Sequence, residues 1–152
     1  MRFKPFLATL LLMAFLPLAT VGGAAPAPED LVKYRQNVMK AQGGHAGAAA
    51  LILRGKVDYM PQLIDHARAL AASTATVKDI FPEGSDVGDT AAKPEIWQQP
   101  EEFSKASVDA EKAAAAFLQS VESGNKEEMA ARFKDLGQAC KGCHDKFRKK
   151  EE

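Results

Sequence analysis

Near its C-terminal end the 152-residue chain reads Cys140-Lys141-Gly142-Cys143-His144, the stretch richest in side chains able to do chemistry. Cys140, Cys143 and His144 stand at i, i+3 and i+4, so on a helix they share one side. Two thiols one turn apart followed directly by a histidine is the C-x-x-C-H signature of covalent c-type haem attachment. In that chemistry the thiols form thioethers to the porphyrin vinyl groups while the adjacent imidazole ligates iron. Attachment holds the histidine at an effective concentration of roughly mM or more, so it stays bound. Zinc is a rival for the same donors, but the only other histidines are His45 and His66, and there is no second cysteine pair. A thioredoxin-like dithiol is another rival, which lacks a βαβ setting and leaves His144 without a role. Two cysteines three positions apart cannot form a disulfide framework.

The elements that must position this cluster read as helices. A first helix starts at Pro28-Glu29-Asp30, with its acids at the positive end of the dipole, carries Leu31, Val38, Met39, Ala46, Ala49 and Leu53, and ends at Gly55. A second is expected from about Val57 to Val77, its apolar stripe of Val57, Met60, Ile64, Ala67, Ala71 and Thr74 alternating by 3 and 4. Pro82, Gly84, Gly88, Pro94 and Pro100 then exclude helix or central strand, which makes Ile80 to Pro100 a long crossover. The third helix carries Phe103, Ser107, Ala110, Ala114, Phe117 and Val121, and Gly124-Asn125 turns the chain. The fourth carries Met129, Phe133, Leu136, Cys140, Cys143 and Phe147, which turns both thiols and His144 towards the interior. The fold class is therefore all-α, an antiparallel four-helix bundle with a long crossover between helices 2 and 3. Alanine fills much of each stripe, and at ~25 cal/mol per Å² such small side chains bury little, so the bundle needs something else in its middle.

Residues 1–24 read as a cleaved signal peptide and 25–152 as the four-helix haem-binding domain. Arg2 and Lys4 form a basic start, Phe6 to Leu16 is apolar, and Gly22-Gly23-Ala24 offers small residues for cleavage. That apolar run is shorter than the ~20 residues a spanning helix needs, so no membrane anchor is expected after cleavage. Without a lipobox cysteine the product is placed in the periplasm. Lys+Arg and Asp+Glu are both 20, so the net charge is +0 and no basic field for nucleic acid exists. With 46% hydrophobic and 26% charged residues, wholesale disorder and a polytopic membrane protein are excluded.

Three stretches together resemble the class II cytochromes c, the cytochrome c′ family with its low-spin Met/His-ligated relatives. They are Pro28-Glu29-Asp30 leading into Lys33-Tyr34-Arg35-Gln36, then Pro94-Glu95-Ile96-Trp97, and finally the run from Cys140 to Lys150. The resemblance covers nearly all of the chain after the signal. It implies one covalent haem c, Arg35 at the haem edge beside a propionate and the proximal histidine, and Met39 on the distal side of the iron. Some members carry a bulky non-ligating side chain there and admit only small gases such as nitric oxide; others use methionine as a sixth ligand and carry electrons. A thioether suits either role. Lys33-Tyr34-Arg35-Gln36 looks more like the five-coordinate branch, whereas the glycine-rich Gly43-Gly44-His45-Ala46-Gly47 stretch departs from it and could let the helix bend towards iron, so Met39 is read as distal ligand or steric plug, with a slight lean to the ligand.

Other residues receive plainer readings. His45 is polar filler, His66 is solvated, and Met60 and Met129 belong to the core. Trp97 caps the bundle where the crossover meets helix three. Lys146, Arg148, Lys149 and Lys150 complement the last helix dipole and would steer an acidic redox partner. The function expected is a periplasmic monohaem c-type cytochrome acting as a one-electron carrier, not an enzyme, because no acid–base pair accompanies the haem. The alternative is a five-coordinate cytochrome c′ that binds or sequesters nitric oxide and other small gases, carbon monoxide among them. Family members often pair through their first two helices, so a homodimer is allowed; the redox partner is not identified by sequence.

Overall fold

A computed structural model describes residues 25–150; the expected signal segment 1–24 lies outside the described residues. Five helices follow in order: α1 (Pro28–Leu53), α2 (Leu63–Thr74), α3 (Glu95–Gln98), α4 (Pro100–Ser123) and α5 (Lys126–Phe147). The long ones, α1, α2, α4 and α5, form the antiparallel bundle, and α3 lies within the crossover. None of the described helices is long and apolar enough to cross a membrane.

Local chemistry sets the helix ends. Pro28 and Pro100 occupy first turns, where the missing N–H is not needed, and acids follow each of them. Gly124 closes α4 with φ 75°, a left-handed conformation that favours glycine, and the Asn125 side chain then accepts from Glu128 N at 3.2 Å to cap α5. The carbonyls of Asp145 and Lys146, near the other end of α5, accept from Lys93 Nζ.

Two expectations are corrected. The second helix starts at Leu63 rather than near Val57, because Pro61 restricts the residue before it and lacks an N–H; Met60–Gln62 forms a 3₁₀ turn instead. It ends at Thr74, with a separate 3₁₀ turn at Val77–Ile80. The glycine-rich stretch Gly43–Gly47 does not interrupt α1, which is helical from Pro28 through Leu53. Ala46, Ala49 and Ile52 pack into the core immediately beyond the glycines and hold the helix on course.

The core comes in two parts. One is built from Ala49, Ile52, Leu63, Ala67, Leu70, Ala114, Phe117, Met129 and Leu136. The other is aromatic, with Phe103 and Phe147 buried beside Val77 and Ile96 and with Phe81 and Trp97 packed against them. Around the bundle α1 packs on α2, α2 on α4 and α4 on α5, but α1 and α5 barely touch. The fourth side of the bundle is a slot.

Candidate haem site

The residues singled out in the sequence face that slot from its two walls. Cys140 and Cys143 are free, half-buried thiols one turn apart on α5. Cys140 packs against the first core cluster and Cys143 against the aromatic one, so the pair straddles the break between them. Met39, on α1, packs against the same aromatic cluster as Cys143. Between the same two helices, an open groove of about 360 Å³ is lined by Ala50, Leu53 and Arg54 on one side and Ala130, Phe133, Lys134 and Gly137 on the other. Gly137 stands one turn before Cys140, so the groove runs up to the thiols.

His144 departs from the interior position expected for it and is exposed. Leu136, Cys140, Cys143 and Phe147 define the inward stripe, and at 100° per residue His144 falls at its margin. Partial burial and the charge of Arg148 lower its pKa, with Asp145 opposing, which favours the neutral imidazole able to donate a lone pair. Burial raises both thiols, and Cys143, with Cys140 adding to the effect, is pushed to about 11. As free groups they are protonated at neutral pH.

Arg35 is a buried cation, only 2% exposed. Its Nη1 donates to Ser85 Oγ at 2.8 Å and its Nη2 to Thr90 Oγ1 at 3.0 Å. The guanidinium carbon lies 5.0 Å from the Phe81 ring centroid and 5.7 Å from that of Trp97. Burial lowers its pKa, and the charge of Asp86 opposes that shift. Gln36 Nε2 adds a bond to Asp89 O at 2.9 Å, so the crossover is fastened to α1 by Arg35 and Gln36, while within the crossover, just before α4, Trp97 Nε1 donates to Phe81 O and Pro82 O. Trp97 holds this junction, as its sequence position suggested. Sequence reasoning missed Ser85, Thr90 and Phe81 as neighbours of Arg35, since they lie 46 to 55 positions away with no periodic pattern to reveal them.

These features fit a flat, largely apolar prosthetic group carrying a few anionic substituents. The slot is open on the side where two thiols point, its walls are alanine, aliphatic and aromatic, and a buried cation bonded only to neutral hydroxyls stands at its α1 wall. The donor set of two thiols and an adjacent imidazole is that of haem c.

Comparison with known proteins agrees. The family model described as Cytochrome C′ matches residues 30–148. The cytochrome c′ of Pararhodospirillum photometricum is 35% identical over 122 residues, covering 80% of this chain and 98% of that protein. Among solved structures, cytochrome c′ from Thermochromatium tepidum aligns with a TM-score of 0.78 at 30% identity, covering 84% of this chain and 100% of that one. A nitric oxide complex of a mutant cytochrome c prime from Alcaligenes xylosoxidans aligns with a TM-score of 0.77 at 29% identity, covering 84% and 99%. The chain belongs to the cytochrome c′ family, and its cofactor is a covalently bound haem c.

Proposed function

We propose that this chain is a periplasmic haem protein in which Met39 closes the distal side without ligating iron, so that nitric oxide and similarly small gases bind there. Cys140 and Cys143 would hold the group by thioethers, His144 would ligate its iron from α5, and Arg35 would balance carboxylate charge at its edge. Bound in this way, haem would supply an iron able to change oxidation state and to take a diatomic ligand.

The observation that supports this reading is the place of Met39 on the unbroken α1, half-buried beside the aromatic cluster. Met39 sits on that helix, half-buried and packed against the cluster built on Val77, Ile96, Phe103 and Phe147. Its flexible thioether and the aromatic wall exclude water and crowd out larger ligands, a selection by size and polarity. The Alcaligenes xylosoxidans neighbour, a nitric oxide complex, supports the same use of the fold.

One observation favours the one-electron carrier instead: Met39 and Cys143 pack against a single cluster from opposite walls of the slot, which is the side on which a sixth ligand would stand. The ferric absorption spectrum separates the two. The plug reading predicts a high-spin spectrum and nitric oxide binding in the wild type, with Met39→Ala speeding carbon monoxide entry. A low-spin spectrum with a near-infrared sulfur-to-iron band, erased by Met39→Ala, would instead make the chain an electron carrier. Either way the basic residues Lys146, Arg148, Lys149 and Lys150 would guide an acidic redox partner. Exposed Tyr34, Leu51 and Tyr59 on and just after α1 suit pairing of two copies, which sedimentation velocity would detect.

A further inference from the structure

Away from the haem slot, the fold brings together two side chains that the sequence keeps 21 positions apart. His45 on α1 and His66 on α2 place their Nδ1 atoms 3.0 Å from each other, with ring centroids 5.3 Å apart and planes tilted by 55°. Both rings are half-buried, neither polar filler nor fully solvated as their sequence positions had suggested. We propose that His45 and His66 form a two-imidazole binding site for a divalent transition-metal ion, copper(II) or zinc(II).

The separation is the first reason. Metal–nitrogen bonds of about 2.0–2.1 Å meeting at a right or tetrahedral angle set two imidazole nitrogens roughly 2.9–3.4 Å apart. The observed 3.0 Å falls inside that range, so the two nitrogens already stand at the spacing a shared ion requires, and the rings would turn to aim both lone pairs at it. The second is how the pair is held. Both histidines stand inside regular helices, and the neighbouring Ala49 and Ala67 are fully buried, letting α1 and α2 approach closely enough for short imidazoles to meet. The third is proton bookkeeping: with both rings neutral, one Nδ1 donates the single proton between them and the other accepts it. A metal ion in that place takes a lone pair from each ring, and the proton that lay between them moves to the Nε2 of the ring that carried it, so both imidazoles stay neutral.

A further polar group stands close by in register. Gln42 precedes His45 by one turn on α1, and its Nε2 is buried without a hydrogen-bond partner. An amide donor of that kind suits a water or hydroxide completing the coordination shell. Among the described residues no group of three or more His, Cys, Asp or Glu gathers here, so the site has two protein ligands and open positions, and holds its ion exchangeably. Imidazole nitrogen favours copper(II) over zinc(II) by the usual order of divalent affinities.

The test uses holoprotein, in which thioether formation removes both cysteines from competition. Copper(II) and zinc(II) chlorides are titrated calorimetrically into wild type, His45→Gln and His66→Gln, with copper(II) electron paramagnetic resonance reporting bound nitrogen. The expected result is one ion per chain, tighter for copper(II), with two-nitrogen hyperfine structure. Each substitution should weaken binding by at least roughly tenfold, since even an outer partner of a metal ligand is worth that much. The ion should also raise the thermal midpoint of wild type by joining α1 to α2, and not that of either variant. Unchanged far-ultraviolet dichroism and haem absorbance in the variants establish that they fold. Failure of wild type to bind, binding that survives in both variants, or loss in only one of them would overturn the site.

Discussion

Replacing Arg35 by leucine removes a buried cation that fastens the crossover to α1, and its cost can be worked from the contacts. Hydrogen bonds from a charged donor contribute about 1.5–3 kcal/mol each, and Arg35 makes two, to Ser85 Oγ and Thr90 Oγ1. Stacking of the guanidinium near Phe81 and Trp97 adds about 0.5–2 kcal/mol. Opposing these is the desolvation of the charge, the same burial that lowers its pKa, which the substitution relieves. The net destabilisation expected for Arg35→Leu is about 2–4 kcal/mol. Arg35→Lys keeps the charge but not the fork, and one ammonium cannot serve both hydroxyls in the same planar geometry, so it should cost about 1–2 kcal/mol. Urea unfolding of the holoproteins, followed by far-ultraviolet dichroism, measures the loss as a lower midpoint at unchanged slope. Amide exchange should speed up first between Ser85 and Thr90. If Arg35→Leu shifted stability by less than about 0.5 kcal/mol, the range of ordinary surface substitutions, Arg35 would not be the anchor described.

Two further outcomes follow from buried groups. Phe117 is fully buried where α4 meets the first core cluster, its ring centroid 5.2 Å from that of Phe133 with the planes tilted by 56°, and Phe117→Ala should cost about 3–5 kcal/mol by the same urea assay. In polypeptide made without haem, the Cys143 thiol, held at about 11 by burial and by Cys140, should alkylate with iodoacetamide slowly at pH 8 and faster as pH rises. Because that folded value lies above the ordinary 9.0, the neutral thiol's contribution to folding is complete below pH 9 and is lost between pH 9 and 11. Haem-free wild type should therefore lose more stability over that interval than haem-free Cys143→Ala.

Much of this arrangement was legible in the sequence because helices write themselves in local periodicity. The stripes of α4 and α5, the Gly124-Asn125 turn and the crossover could be read from spacing and from glycine and proline alone. The C-x-x-C-H motif is likewise local. Its inward direction was only partly legible, since both thiols follow the stripe while His144 falls at the margin and is exposed. What could not be read depends on contacts between distant residues. The hydroxyls that hold Arg35 come from an irregular crossover 50 and 55 positions away, and the His45–His66 pair depends on the rotation of α1 against α2. The continuity of α1 through Gly43, Gly44 and Gly47 has a related reason: glycine lowers helix propensity by roughly 1 kcal/mol, but packing of Ala46, Ala49 and Ile52 outweighs it.

The central claim is that Cys140 and Cys143 hold haem covalently in the slot between α1 and α5, with His144 beside them. Acid–acetone extraction followed by intact-mass and peptide mass spectrometry tests it most directly. The haem should remain on the denatured chain, and the peptide spanning Cys140 to His144 should carry the added mass of one haem. Cys140→Ala combined with Cys143→Ala should release it. Free haem in the extract of the wild type, or haem mass on any other peptide, would contradict the account.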